Sequence, residues 1–181
     1  MLVFAYGSLI WNPGFDYEST MPALAPGWRR SWCIPSTVHR GSADSPGVVL
    51  GLVPGPCCIG IAYEVAEARE AAVRRYLVER ETAEDGYVDS LIDVLTPRGW
   101  DKALCYVADL SNPSVRELSE AGLLSRLRTA WGRAGTNADY ARNTIAAVMT
   151  LPRPLAWPEP CPGMALRLAG ILCGNAVAEW V

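Results

Sequence analysis

Short apolar runs broken by Pro and Gly constrain the first third of this chain more than any other feature. LVFAY (2–6) ends at Gly7-Ser8, and residues 32–39, 48–53 and 59–65 are similar runs with Pro and Gly between them. Such runs, bounded by turn formers, read as strands. Residues 45–63 carry no charge, yet Pro46, Pro54, Pro56 and four glycines break any membrane-spanning helix there. Two short strands joined by a turn at Val53-Pro54-Gly55-Pro56 fit better. Residues 88–96 and 103–108 add two more strands.

The helical signals come between and after these strands. AEAREAAVRRYLVERE (66–81) has no Gly or Pro, and Val73, Leu77 and Glu81 recur every four residues. A second helix is predicted over about 121–132, with Leu124, Leu127 and Trp131 on one face. A third opens at Thr136-Asn137, where Thr-x-x-Asp resembles a capping box, and carries Tyr140, Thr144, Ala147, Val148 and Leu151 on one stripe. From about residue 152 the tail is rich in Pro, then apolar after Pro162. Strands early, one helix among them and helices late give an α+β order. Strict βαβ alternation, GxGxxG and GxxxxGK[ST] are all absent, which argues against a doubly wound nucleotide fold. At 181 residues without a linker or repeat, the chain reads as a single domain, 1–181.

Charge and residue counts exclude several kinds of chemistry. Sixteen basic against nineteen acidic side chains leave a net charge of −3, contrary to what nucleic acid or an anionic membrane requires of a partner. His39 is the single His, so HExxH and His-pair metal sites are impossible. The six Cys (33, 57, 58, 105, 161, 173) have no CxxC spacing. Neither a metal nor a cofactor is expected. Cys57 and Cys58 lie in an apolar run and read as buried, inert thiols. MLVFAYGSL lacks a basic leader, and free thiols in a reducing cytoplasm are expected.

Four places could carry chemistry. Tyr6-Gly7-Ser8-Leu9 ends a strand in a turn whose backbone N–H groups could face an anion or an oxyanion. Glu81 sits about 40° around the helix from Leu77, beside the core-facing stripe and at the negative end of the helix dipole. Both placements raise a carboxyl pKa, as a general base near neutral pH requires. A solvated Glu paired with Arg80 or Arg75 is the plainer reading. Tyr140 faces inward, and Arg40 follows a strand end where it could bind an anion.

Taken in order, five blocks resemble the ChaC-like γ-glutamylcyclotransferases. They are FAYGSLIWNPGF (4–15), WRRSWCIPSTVHRG (28–41), CIGIAYEV (58–65), YLVERE (76–81) followed by Gly86-Tyr87, and GTNADYARNT (135–144). Together they cover about residues 3–150. The resemblance implies a compact mixed β-barrel with surrounding helices, and a reaction without water. The α-amine of a γ-glutamyl amide attacks its own γ-carbonyl, closing a 5-oxoproline ring and releasing an amine. For this branch the implied substrate is glutathione and the released dipeptide Cys-Gly. By the same resemblance Glu81 is the base, Tyr6, Gly7, Ser8 and Leu9 form the binding loop, and Tyr140 and Arg40 touch the substrate. The segment TAED (82–85) is longer and more acidic than in some members, and reads as a lid that shifts leaving-group preference. Another γ-glutamyl amine as substrate, an inactive small-anion-binding module and a thiol enzyme are the competing readings.

Overall fold

The computed structural model describes residues 1–152. The proline-rich tail expected from about residue 152, with Cys161 and Cys173, lies outside the described residues. No described helix is long and apolar enough to cross a membrane.

Five strands close into a barrel: β1 (Leu2–Ala5), β2 (Ser19–Ser36), β3 (Gly47–Glu64), β4 (Tyr87–Thr96) and β5 (Gly99–Ala108), in the order β1-β3-β2-β4-β5. β1 runs antiparallel to β3 and closes the barrel by pairing parallel with β5, where Leu2 pairs with Ala103 and Val3 with Leu104. Three helices accompany the barrel: α1 (Glu70–Glu81), α2 (Glu120–Thr129) and α3 (Asn137–Met149). A small ribbon, β6 (Trp131–Gly132) with β7 (Gly135–Thr136), links α2 to α3. This is the mixed barrel with helices that the resemblance implies.

The strand period explains why LVFAY is apolar throughout. Successive side chains on a strand point to opposite faces. Phe4 and Tyr6 enter the larger core cluster, which also takes up Leu127, Ala141 and Ile145 from α2 and α3. Val3 and Ala5 enter the second cluster, against Val73 and Leu77 of α1. β5 divides in the same way, with Ala103, Cys105 and Val107 in the first cluster and Leu104 and Tyr106 in the second.

Three local expectations need correction. Val53-Pro54-Gly55-Pro56 is not a turn between two strands, because β3 runs through it as one 18-residue strand. Pro26 pairs with Cys57 and Trp28 with Pro54, so Gly55 and Pro56 face Gly27 alone, which takes φ +81°. This is a β-bulge, which bends a long strand pair and tolerates residues without an N–H. On the partner side, β2 begins at Ser19 rather than near residue 32, and ends at Ser36, leaving residues 37–40 as a bend. Finally, α2 buries Leu123 and Leu127, not the Leu124, Leu127 and Trp131 stripe. It stops at Thr129, Ala130 turns to extended backbone, and Trp131 is 73% exposed in β6.

α1 ends where the spacing puts it but begins at Glu70, after a 3-10 turn at Glu67–Arg69. On α3 the expected stripe holds at Tyr140 and Thr144, while Ala147 and Val148 are half-buried and Leu151 lies past the helix end. Val73 and Leu77 are buried on α1. Thr136 caps α3 by accepting from the Asp139 N–H at 3.1 Å, and Tyr140 and Thr144 are buried on its inner face, as are Ala141 and Ile145.

Candidate active site

The end of β1, the end of α1, the bend after β2 and the start of α3 meet around one cavity. It has a volume of about 290 Å³, and Ser8, Arg40, Glu81, Tyr87 and Tyr140 are among its walls. A smaller chamber of about 30 Å³ adjoins it, lined in part by Tyr6, Gly7, Ser8 and Leu9. Ser8, Glu81, Tyr87 and Tyr140 border both spaces. All seven residues singled out in the sequence therefore line one connected site.

Each is held by its local structure. After β1 the chain turns at Gly7 into a short 3-10 helix, Ser8–Ile10. The first N–H groups of any helical turn have no intrahelical acceptor. The side chain of Tyr6 is buried and its hydroxyl donates to the Tyr106 carbonyl at 2.8 Å, while Arg30 donates to the Tyr6 carbonyl at 2.6 Å. Tyr6 is thus wall rather than free polar group. Ser8 accepts at Oγ from Arg80 at 3.0 Å.

Glu81 is the last residue of α1, with its side chain 14% exposed. Burial raises its carboxyl above the usual value of 4.5, and Arg80, with Nε 3.3 Å from Oε1, acts in the opposite sense. The pairing with Arg80 and the raised pKa, which the sequence offers as alternatives, are both present. Arg80 also donates to Asn12 and Pro13 carbonyls and to the Tyr76 hydroxyl.

Tyr140 reaches in from α3, and its ring packs edge-on against Trp32 at 5.8 Å. Burial pushes its hydroxyl up to about 12, so it stays protonated. That hydroxyl accepts from the Leu50 N–H at 3.2 Å. In a Tyr140→Phe variant the buried Leu50 N–H loses this acceptor, an expected cost of about 1–3 kcal/mol. A urea midpoint unchanged from wild type would contradict the assignment of this bond. The Arg40 guanidinium lies 5.6 Å from the centre of the Tyr140 ring.

Several lining residues lie in the matching blocks or the acidic segment 82–85 but are not given a site role by the sequence. Trp11, Tyr76, Arg80, Glu84 and Tyr87 enter through tertiary packing. Arg80 is named beforehand only as a possible partner of Glu81, and Tyr87 only as part of a matching block. The hydroxyl of Tyr87 donates to the Leu50 carbonyl at 2.6 Å. His39 lines the cavity too, its Nε2 buried without a hydrogen-bond partner among the described residues. Among the described residues no cysteine borders either space. Cys58 is buried as expected, but Cys57 is only half-buried, because it lies beside the bulge. Among the described residues no group of three or more His, Cys, Asp or Glu is placed to hold a metal ion.

Comparison with known proteins bears on the family and the fold. The family model described as ChaC-like protein matches residues 1–155. The glutathione-specific gamma-glutamylcyclotransferase 1 of Danio rerio is 31% identical over 145 residues, spanning 76% of this chain and 74% of that protein. The human protein of the same name is 31% identical over 163 residues, spanning 87% and 73%. The glutathione-specific gamma-glutamylcyclotransferase of Escherichia coli K12 is 30% identical over 140 residues, spanning 76% and 61%. In three dimensions, a crystal structure of a yeast γ-glutamyl cyclotransferase specific to glutathione superposes with a TM-score of 0.84 at 20% identity, covering 100% of this chain and 99% of that one. The match over nearly the whole described barrel, in sequence and in fold, places this chain in the ChaC-like family.

Proposed function

We propose that this chain is a γ-glutamylcyclotransferase that cleaves glutathione to 5-oxoproline and Cys-Gly, with Glu81 as the general acid and base. The single observation that carries the reading is the position of Glu81. Its carboxylate borders both the chamber and the cavity and is lifted by burial toward the range a neutral-pH base needs. The names of the relatives support glutathione as the substrate.

In this mechanism the substrate lies in the larger cavity with its γ-carbonyl turned toward the small chamber, which has room for little more than the carbonyl oxygen. Glu81 removes a proton from the substrate's α-ammonium, and the freed amine attacks the γ-carbonyl carbon. A five-membered tetrahedral oxyanion forms, facing the turn of Tyr6, Gly7, Ser8 and Leu9, whose N–H groups act as donors. Collapse breaks the bond to the leaving nitrogen, which takes the proton from Glu81. The ring nitrogen then gives its second proton through the regenerated carboxylate to the released amine, leaving 5-oxoproline with a neutral ring amide. The attacking group is part of the substrate, so no enzyme nucleophile is needed. Holding the flexible glutamyl chain folded toward attack is the main task of the walls, Tyr140 included. Arg40 binds the substrate at the cavity side.

The reaction is a lyase reaction, needs no cofactor or metal, and involves neither nucleic acid nor membrane. The four described cysteines are free thiols, which suits a reducing cytoplasm. The whole chain is read as one domain.

Incubation with glutathione and a set of γ-glutamyl amines, followed by mass spectrometry, tests the reading. Equal amounts of 5-oxoproline and Cys-Gly are expected. Glutamate in place of 5-oxoproline would mean hydrolysis, and turnover of other γ-glutamyl amines alone would reassign the substrate. Chelation and thiol alkylation are expected to leave the rate unchanged. Loss on chelation with recovery on adding a metal would contradict the mechanism.

A further inference from the structure

The acidic segment between Glu81 and Gly86 does not form a lid. Glu84 turns inward and is 4% exposed. Its Oε1 accepts from the Ser36 hydroxyl at 2.5 Å, the His39 N–H at 2.8 Å and, at 3.3 Å, the Val38 N–H. Its Oε2 accepts from the Thr37 N–H at 2.9 Å. Successive backbone N–H groups converging on one point form an anion nest. Here the chain's own carboxylate fills it.

The same bend is held from its other side. The N–H groups of Arg133 and Ala134 donate to the carbonyls of Val38 and His39, both at 2.9 Å. The Arg40 N–H donates to Ser36 Oγ at 2.8 Å. Gly41 closes the bend where a Cβ would meet the Gly47 nitrogen at 2.1 Å and the Ser36 carbonyl at 2.3 Å. Every N–H from Thr37 to Arg40 is therefore satisfied, and the bend is a fixed wall of the cavity rather than a loose loop.

Arg40 is the group this wall presents. Its guanidinium makes one hydrogen bond, to the Thr136 carbonyl at 3.3 Å, and no ion pair among the described residues. The nearby Asp139 is already held by Arg142 and by the Thr136 hydroxyl. Arg80, the other cavity arginine, has its donors committed to Ser8, Asn12, Pro13 and Tyr76, and lies against Glu81. A planar guanidinium with free donors over an aromatic face is suited to a carboxylate.

We propose that Glu84 is a positioning residue that fixes Arg40 on the cavity wall to receive a carboxylate at the far end of the leaving group. The enzyme then selects γ-glutamyl amides whose leaving group carries a terminal carboxylate. The inference rests on the cyclotransferase reading of the same cavity.

Steady-state kinetics on glutathione and on its glycine ethyl ester test it, since the ester keeps the scissile amide and replaces the terminal carboxylate by a neutral, slightly larger group. The wild type is expected to show the lower KM for glutathione. Glu84→Ala raises that KM about tenfold, the size of one weakened charge-assisted contact, with kcat within about twofold. The KM for the ester stays unchanged. Added formate, small enough to enter the emptied nest, lowers the glutathione KM again. Glu84→Gln keeps the shape and one acceptor oxygen, and gives a smaller rise confined to glutathione. It carries the test if the alanine variant does not fold. An equal KM rise for both substrates, a fall in kcat alone, or no change in either variant overturns the proposal. A wild type that processes both substrates with the same KM overturns it too, and leaves the cyclotransferase reading intact. A wild type that processes neither overturns the proposal together with glutathione as the substrate, and turnover of the other γ-glutamyl amines then decides whether the cyclotransferase reading stands.

Discussion

Glu81→Gln is expected to lower kcat for glutathione by about 10²–10⁴-fold, the range ascribed to one general acid–base group. The fold survives the change, for a reason that the direction of the pKa shift supplies. A carboxyl whose folded pKa is raised contributes stability that is fully present below its unfolded value and is lost as pH rises through the folded value. Burial raises Glu81 above 4.5, and this outweighs Arg80. Wherever the carboxylate is ionised it therefore weakens the fold, and a neutral amide of the same shape relieves that cost. The variant is expected to melt at or above the wild-type temperature at neutral pH, with the difference vanishing below about pH 4.5. Calorimetry at both pH values checks this. A dead variant that also melts well below wild type at neutral pH would point to a structural rather than a chemical role.

Leu77→Ala is expected to cost about 2–5 kcal/mol of unfolding free energy, the range for truncating a fully buried leucine. Leu77 is completely buried in the cluster that joins α1 to Val3, Ala5, Leu104 and Tyr106 of the barrel. It lies one turn before Glu81, so the same packing that holds α1 sets where the carboxylate sits. The neighbouring Val78→Ala is the control. Val78 is 47% exposed, and its loss is expected to fall within about 0.5 kcal/mol of neutral. Urea unfolding of the two variants separates them. Similar midpoints would mean that α1 is not anchored through Leu77.

These two sites show which part of the molecule local pattern carries. The four-residue spacing of Val73, Leu77 and Glu81 is enough to place a carboxylate beside a buried seam, and the capping residues of α3 are enough to orient Tyr140. Both follow from helical geometry over one or two turns. The turn of Tyr6, Gly7, Ser8 and Leu9 is legible because a buried strand stops abruptly at Gly7.

What local pattern does not carry is long-range pairing. Pro22, Pro26 and Gly27 make the first half of β2 look like a loop, and Pro54-Gly55-Pro56 make the middle of β3 look like a turn. Only when the two are laid side by side does the bulge at Gly27 reconcile the prolines with one continuous ladder. Glu84 is the plainest instance within the site. Its partners, Ser36, Thr37, Val38 and His39, lie 45 to 48 residues earlier in the chain. On sequence alone it is one more acidic residue in a polar loop. The role of Arg80 is hidden for the same reason, since most of its acceptors belong to the turn after β1.

The dependence of kcat/KM for 5-oxoproline release on pH, over about pH 4 to 9, tests the central claim that a buried Glu81 is the base. The acid limb of that profile reports the free enzyme's essential base. It is expected to have its midpoint clearly above 4.5, and to be absent from any residual activity of Glu81→Gln. A wild-type rate that stays level down through pH 4.5, or an acid limb that persists unchanged in the Gln variant, would contradict the assignment.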